Sequence, residues 1–358
     1  MNPLESQLDY AFGDTLPEPG QVLELAPGIL WLRMGLPFAL NHINLWLLAD
    51  EIDRGNGPER GWTAVDCGIA NDATRDAWEE IFAHQLRGLP ILRVIVTHCH
   101  PDHVGLADWL CRRWNAPLWM TTGEYAFARM MSASLPGVDG TSMFPHFQRH
   151  GLTDAAMLEK LQERRNYYSS LVPSVPQAYT RMRDGETVRI GGWNGAHDWQ
   201  VVTGFGHAPE HASLHCAELK LLISGDMVLP RISTNVSVFA VEPEANPVQL
   251  YLDSLARFGK LADDTLVLPA HGKPFRGLHT RIAQLNQHHA ERLAEVLEAC
   301  VTPQSAVDIV PLMFKRALDA HQLTFAIGEA LAHLHKLWFD GALQRRVGDD
   351  GVIRFCRN

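Results

Sequence analysis

One short apolar run, followed at once by histidines, constrains the fold of this chain more than any other feature. Residues 91 to 97 read Ile-Leu-Arg-Val-Ile-Val-Thr, which is the composition and length expected of a buried β-strand. The next six residues, 98 to 103, read His-Cys-His-Pro-Asp-His. Ligand-type side chains that directly follow a buried strand lie at the edge of a sheet. The pattern therefore predicts an α/β layered fold with a site along one sheet edge.

The spacing within residues 98 to 103 predicts two metal ions. His98 and His100 are two positions apart in an extended loop, so their rings can point the same way and share one ion. Pro101 redirects the chain, and Asp102 and His103 then open the next helix, aimed at a neighbouring position. Two divalent ions a few ångströms apart are the expected product of this geometry. Zinc is the default expectation, and iron or manganese suits the same ligands.

Two metals need more ligands than this run supplies, and three later residues fit the requirement. His207, Asp226 and His271 each follow a predicted strand within a few residues. One such residue alone is typical of a cap or a turn. Together, and in this order after the first motif, they indicate a complete metal site.

Short strands alternating with helices are predicted around this centre. The β-prone runs lie at 22–25, 29–34, 44–49, 63–66, 118–121, 187–190, 199–203, 221–224 and 265–268. Helical patterns lie at 73–86, 104–114, 278–299 and 327–338.

These motifs together resemble those of the metallo-β-lactamase superfamily of metallohydrolases. The matching segments lie between about residues 23 and 275. They are Val-Asp-Cys-Gly at 65–68, Thr-His-Cys-His-Pro-Asp-His at 97–103, Gly-His at 206–207, Ser-Gly-Asp at 224–226 and Pro-Ala-His-Gly at 269–272. The resemblance implies an αββα sandwich.

The same resemblance assigns roles to the ligands. It implies that one metal is held by three histidines, His98, His100 and His207. The other would be held by a carboxylate and two histidines, Asp102, His103 and His271. Asp226 would bridge the two ions, and Asp66 would orient a ligand.

Hydrolysis is the chemistry that such a site implies. A hydroxide bridging two cations is available near neutral pH and attacks a carbonyl carbon or phosphorus. Asp102, Asp226 and His211 are the candidate catalytic residues. His211, four residues after His207, is expected either to contact the substrate or a ligand, or to be a packed or capping histidine.

Two domains are predicted. Residues 1–277 form a metallo-β-lactamase-like catalytic domain with a helical insertion at about 123–185, and residues 278–358 form a linking helix and a small winged-helix-like domain. In the second domain Thr302-Pro303 is typical of a helix N-cap followed by a first-turn proline. A hairpin is predicted from 343–347 and 352–356.

The insertion and the tail are similar to those of the glyoxalase-II-related branch of the superfamily. This similarity favours a small ester, thioester or lactone as substrate. Relatives with such a tail include a single-strand endoribonuclease, so a phosphodiesterase or endoribonuclease is the alternative. A non-catalytic, metal-binding regulatory module is the third hypothesis, and the complete ligand set argues against it.

Charge limits the partners. With 31 Lys and Arg against 41 Asp and Glu, the net charge of −10 argues against nucleic acid or an anionic membrane. A small-molecule substrate is expected, and the tail is expected either to form a homodimer or to close one side of the active-site cleft. The acidic segment Met1 to Gly20 lacks the pattern of a secretory signal, and no apolar stretch is long enough to span a bilayer. We therefore expect a cytoplasmic protein whose six scattered cysteines are reduced thiols.

Some residues have two interpretations. The large side chains of the insertion either line an apolar substrate tunnel or pack its core, namely Met130, Met131, Phe144, Phe147, Tyr167 and Tyr168. Arg231 or Asn235 lies either at the pocket mouth or in an ordinary loop. His288 and His289, on the long helix, are predicted to be solvated.

Overall fold

Two stacked β-sheets form the centre of the molecule. The computed structural model describes residues 4–55, 57–163, 165–192 and 195–358. Residues 1–3 of the predicted catalytic domain and residue 164 of the predicted insertion lie outside the described residues. The strands of the first sheet follow chain order: β1 (Leu23–Ala26), β2 (Ile29–Gly35), β3 (His42–Asp53), β4 (Pro58–Val65), β5 (Ile91–Ile95), β6 (Leu118–Met120) and β7 (Thr180–Arg181). Pairing is antiparallel from β1 to β4 and parallel from β4 to β7.

The second sheet is built from the strands after residue 186. They are β8 (Thr187–Gly192), β9 (Gly195–Gly204), β10 (His211–Cys216), β11 (Leu221–Gly225) and β12 (Leu266–Pro269), which are neighbours in this order. Pairing is antiparallel except between β11 and β12. A separate C-terminal hairpin consists of β13 (Leu343–Val347) and β14 (Ile353–Arg357).

Helices cover the outer faces of both sheets. In the described part of the chain they are α1 (Asp72–His84), α2 (Pro101–Val104), α3 (Ala107–Trp114), α4 (Thr122–Ser132), α5 (Met143–Arg149), α6 (Ala155–Gln162), α7 (Tyr167–Leu171), α8 (Pro247–Phe258), α9 (Leu278–Ala299), α10 (Ala306–Met313) and α11 (Ala320–Phe339). No helix in the described ranges is long and apolar enough to cross a membrane.

The apolar side chains alternate along the strands and so create three layers of core. On β2, Trp31 faces the space between the sheets, whereas Leu30 and Leu32 face α1 and α3. On β11, Ile223 faces the space between the sheets and Leu222 faces α8 and α9. The order of layers is helix, sheet, sheet, helix. The predicted αββα sandwich is confirmed.

The C-terminal region has the predicted order of helices followed by a hairpin. Its helices α9, α10 and α11 share one buried cluster with side chains of β11, β12, α8 and the insertion. The predicted N-cap at Thr302-Pro303 is wrong, because α10 begins at Ala306 and Ser305 caps it. Ser305 and Asp308 form a reciprocal capping box, in which the backbone N–H group of each residue donates to the side chain of the other.

Several elements and one histidine differ from expectation: β7 was not predicted, and the helix predicted at 104–114 is divided into α2 and α3. Neither β10 nor α8 was predicted; β10 carries the polar sequence His-Ala-Ser-Leu-His-Cys and is nonetheless buried at every position. His289 is completely buried, so the prediction that it is solvated is wrong. Its Nδ1 lies 3.2 Å from Nε2 of His333 on α11, because α9 packs against α11 there. All six cysteines are free thiols.

Candidate metal centre

The predicted ligands come together at one edge of the sandwich. The carboxyl ends of β5, β9, β11 and β12 all open at this edge, and each is followed by one or more of the predicted ligands. Because parallel strands present their carboxyl ends on the same side, residues far apart in sequence meet there. The seven ligand candidates fall into two groups. Within each group, the ligand atoms lie within 4.8 Å of one another.

Three imidazoles and a carboxylate form the first group. Nε2 of His98 lies 2.9 Å from Nδ1 of His100 and 3.2 Å from Nε2 of His207. Nε2 of His207 lies 3.4 Å from Oδ2 of Asp226.

The second group contains Asp102, His103 and His271. Nε2 of His271 lies 3.4 Å from Oδ2 of Asp102, and Nε2 of His103 lies 3.7 Å from the same oxygen. All three side chains project from the segments predicted to hold them.

The Asp226 carboxylate lies between the two groups. Its Oδ2 faces His207 of the first group. Its Oδ1 lies 3.6 Å from Nε2 of His103 and 3.4 Å from Nε2 of His271 in the second group. One oxygen is therefore directed at each group, which is the geometry that a bridging ligand requires.

Hydrogen bonds on the far side of each ring fix which nitrogen can bind a metal. Nδ1 of His207 donates to the carbonyl of Asn235 at 2.7 Å, and Nδ1 of His271 donates to the carbonyl of His42 at 2.7 Å. Because those carbonyls can only accept, each Nδ1 carries a proton, and in the neutral ring the lone pair that can bind a metal is on Nε2. That lone pair points into the site. Such support of a ligand ring is typical of metal sites.

Asp66 supports His103 in the same way. Its Oδ2 lies 2.8 Å from Nδ1 of His103, while its Oδ1 accepts the Thr97 N–H at 2.8 Å. Asp66 has a φ of 64°, in the left-handed region that a non-glycine residue rarely adopts. The backbone at the end of β4 is thus strained where it directs this carboxylate under the site.

The charges of the site call for a cation. Burial disfavours the charged ring of His103, but the carboxylates of Asp66, Asp102 and Asp226 outweigh it and raise its pKa to about 9. In contrast, burial together with the neighbouring imidazoles lowers the pKa of His98 well below its usual value. Positive charge is therefore favoured on the side of the site that holds the carboxylates.

Two buried atoms also lack a partner. Nε2 of His103 and Oδ1 of Asp226 face each other, and neither has a hydrogen-bond partner within the described residues. An imidazole lone pair and a carboxylate oxygen repel each other unless a proton or a cation lies between them. Imidazole and carboxylate are the ligands that zinc, iron and manganese accept. The residues present therefore fit a divalent metal.

His211 lies under Asp226. It is completely buried, and its Nε2 accepts the backbone N–H of Asp226 at 3.1 Å. A Cβ on Gly225 would lie 2.3 Å from this nitrogen, so the position before Asp226 requires glycine. The structure brings His211 against the backbone of a predicted ligand. Its catalytic role stays a prediction.

Three residues that support the site were missed in the sequence. Asn44 donates from Nδ2 to the carbonyls of Pro269 and Gly272, at 2.9 and 3.0 Å, and so holds the loop that carries His271. His42 accepts the Gly272 N–H at 2.8 Å, in addition to the contact made by its carbonyl. The available signal was a polar Asn44 inside the apolar run 43–48.

Glu124, on α4, is the third missed residue. It is completely buried and accepts the N–H of Cys99, between the ligands His98 and His100, at 2.8 Å. It also accepts the N–H of Glu210, three residues after His207. One carboxylate therefore joins two ligand-bearing loops. Burial raises its pKa.

The structure also places the residues that had two interpretations. Phe147 is buried in the C-terminal core cluster, so it packs rather than lines a tunnel. Arg231 forms an ion pair with Glu5 at 3.1 Å. Asn235 supports His207 through its carbonyl, a role for which its side chain gave no signal.

Comparison with known proteins identifies the family. A family model described as the metallo-beta-lactamase superfamily matches residues 57–271, and one described as the metallo-beta-lactamase-like C-terminal domain matches residues 293–358. The first match spans more than half of the chain, so the chain belongs to the metallo-beta-lactamase superfamily. The prediction of a metal-dependent hydrolase is confirmed at the level of this family.

Individual relatives agree with this assignment. A Bacillus subtilis protein named "probable metallo-hydrolase YqjP" is 25% identical over 88% of this chain and 93% of its own. The crystal structure of a beta-lactamase domain protein from Burkholderia ambifaria is 60% identical, covers all of both chains and has a TM-score of 0.93. A metallo-beta-lactamase family protein from Thermus thermophilus is 29% identical over 94% of this chain and all of its own, with a TM-score of 0.75.

Proposed function

We propose that this chain is a dinuclear metal-dependent hydrolase that cleaves a small ester, thioester or lactone. The observation that carries the proposal is the position of Asp226, whose two carboxylate oxygens face separate groups of ligands. A mononuclear site would not need two complete groups. The proposed ligands are those predicted from the sequence, namely His98, His100, Asp102, His103, His207, Asp226 and His271.

Each part of the site has a task in this proposal. Two bound divalent ions supply Lewis acidity, which lowers the pKa of a water molecule to about 7 and polarises a substrate carbonyl. Asp226 and Asp102 supply negative charge that holds the ions, and the buried rings supply fixed lone pairs. His211 and Gly225 fix the backbone of Asp226, so its carboxylate is already oriented before substrate arrives.

The overall charge supports a small-molecule substrate over nucleic acid. The net charge is −10, and the tail from Cys300 carries seven Lys and Arg against six Asp and Glu. A phosphate backbone is bound through a clear excess of basic side chains. The whole chain has an acidic excess, and the tail has only one more basic than acidic side chain. Phosphodiester cleavage is therefore kept as an outcome of the test.

Metal analysis with a substrate panel tests the proposal. The panel contains a glutathione thioester, an acyl lactone, a bis-aryl phosphodiester and single-stranded RNA. We expect about two divalent ions per chain and turnover of the thioester or the lactone, lost on chelation and restored by added metal. Full activity with fewer than about one ion per chain would refute the two-metal site. Cleavage of the phosphodiester or RNA alone, with steep salt dependence, would favour the alternative.

Asp226→Ala tests the bridging carboxylate directly. Because both groups lose a ligand, we expect at least one ion per chain to be lost and turnover to fall at least about a hundredfold. Asp198→Ala, on an exposed carboxylate of β9, is the matched control and should keep both. Retention of two ions and of activity in Asp226→Ala would overturn the assignment.

A further inference from the structure

Four rings from three distant segments form a cluster that we call the aromatic wall: Phe38, Tyr167, His321 and Phe325. The ring of His321 lies 5.6 Å from Phe38, 5.9 Å from Tyr167 and 5.0 Å from Phe325, between ring centres. Phe38 belongs to the turn between β2 and β3, Tyr167 begins α7, and His321 and Phe325 lie in the first turns of α11. Phe325 is 37% exposed although it is large and apolar.

The aromatic wall is connected to both groups of metal ligands. Tyr168, next to Tyr167, donates from its hydroxyl to the carbonyl of Cys99 at 2.5 Å, and Cys99 lies between His98 and His100. On the opposite side, His42 ends the turn that carries Phe38, and its carbonyl accepts Nδ1 of His271. Since His321 contacts both Phe38 and Tyr167, its ring lies between the turn that leads to His42 and the helix that carries Tyr168.

The helix that carries the wall is anchored at the metal centre. Eight residues after His321, the Glu329 carboxylate accepts Nδ2 of Asn235 at 3.3 Å, and the Asn235 carbonyl holds His207. One residue earlier, the Gly328 carbonyl accepts the Val238 N–H at 3.1 Å. The middle of α11 is therefore hydrogen-bonded to the loop that supports His207.

We propose that the aromatic wall binds an apolar acyl group of the substrate while the carbonyl lies at the metal centre. The inference rests on the proposed function and names the substrate class within it. Aromatic side chains left partly exposed beside a polar centre offer apolar surface to a ligand, and a few polar groups fix its orientation. Three segments, from the first sheet, the insertion and the C-terminal region, would then define the chain length that fits.

Binding of alkyl carboxylates to the metal-loaded protein tests the wall without requiring turnover. Acetate and octanoate present the same carboxylate to the metals and differ only in the apolar chain. We expect octanoate to bind at least about tenfold more tightly than acetate in calorimetric titrations. Phe325→Ala should weaken octanoate binding about five- to tenfold and change acetate binding less than about twofold.

A control variant outside the aromatic wall and a second variant within it complete this test. Phe339→Ala removes another exposed phenylalanine, 49% exposed, from the far end of the same helix and should change neither affinity. Phe38→Ala, in a different segment, should repeat the effect of Phe325→Ala, and melting temperatures confirm that each variant is folded. Equal affinity for acetate and octanoate, or equal effects of Phe325→Ala and Phe339→Ala, would overturn the proposal.

The outcome is separable from that of the proposed function. If octanoate binds as expected but no ester, thioester or lactone is cleaved, the proposed function is rejected and the proposed binding role of the aromatic wall is retained. If acetyl and octanoyl esters are cleaved with the same kcat/KM, and Phe325→Ala affects both alike, the wall is rejected while the hydrolase stands.

Discussion

Arg93 is a charged residue inside the apolar run that predicted β5, and its partner explains how the strand accepts it. The guanidinium donates to Oδ2 of Asp50 on β3 at 2.8 Å from Nε, and it also reaches the carbonyl of Arg189 on β8. Asp50 in turn accepts the Thr63 hydroxyl at 2.6 Å and the Gly191 N–H at 2.9 Å. This buried pair therefore joins the two sheets.

Replacing Asp50 tests the energy of this contact. Asp50→Ala leaves the Arg93 guanidinium buried without a counter-charge, so we expect the free energy of unfolding to fall by about 3–5 kcal/mol. Urea unfolding of the metal-loaded protein measures it. Glu51→Ala, which breaks the neighbouring exposed pair with Arg60, is the control and should cost less than about 1 kcal/mol. Equal losses in the two variants would contradict the expectation.

Helix α11 illustrates what a pattern of apolar residues leaves out. A helix was predicted from residue 327, but α11 begins at Ala320, where Asp319 and Gln322 form a capping box. The missed turns carry His321 and Phe325 of the aromatic wall. These turns pack against Phe38 and Tyr167, which lie far away in sequence. The local pattern of apolar residues therefore did not predict them.

The docking of α11 at Asn235 gives a pH-dependent prediction. Burial raises the pKa of Glu329 to about 7, although the hydrogen bond from Asn235 and the charge of Arg292 act against it. In the unfolded chain a glutamate ionises at about pH 4.3. The protonated carboxyl is thus favoured by folding, so its contribution to stability is present at low pH and is lost as the pH rises through 7.

Glu329→Gln should remove this dependence because the amide does not titrate. Between pH 5 and pH 8 we expect the stability of the variant relative to the natural chain to rise by about 2 kcal/mol. Urea unfolding of both proteins across this range measures the difference, and protonation of the metal ligands cancels because both proteins share it. Parallel stability curves would show that Glu329 is not the titrating group.

At the scale of the whole molecule, the C-terminal region and the catalytic sandwich share a core. Leu331 and Leu334 of α11 belong to the same buried cluster as Tyr251 of α8 and Leu222 of β11. The division at residue 277 stays a prediction, as does a homodimer. Closure of one side of the cleft by the tail stays a prediction as well; α11 contacts Asn235 through Glu329 and Phe38 through His321.

A chain ending at residue 277 tests how independent the sandwich is. Because α9, α10 and α11 share a buried cluster with α8, β11 and β12, we expect the shortened chain to lose cooperative unfolding and to bind a hydrophobic dye. The full-length chain stripped of metal is the control, since it separates loss of the core from loss of the ions. A monomeric shortened chain with a cooperative urea transition would show that the sandwich folds by itself.

The candidate ligands could be predicted from the sequence, and the order of layers followed from the motifs that resemble the superfamily. Ligand-type residues that directly follow β-prone runs, such as His98 after β5 and His271 after β12, are visible locally because the strand and its end are neighbours in the chain. Helix α9 was predicted with its observed bounds, since a long amphipathic pattern is a local property. β10 was missed because its polar residues pack against the site, where burial and not composition decides.

How these residues act together depends on contacts between distant segments. The two oxygens of Asp226 reach His207 and His271 because β9, β11 and β12 lie in one sheet. The carbonyls that fix the histidine rings, and the rings of the aromatic wall, come from segments more than a hundred residues apart in several cases. A sequence pattern records what is adjacent along the chain. The site depends on distances of about 3 to 4 Å between residues of different strands and loops, and these arise only when the two sheets pack together.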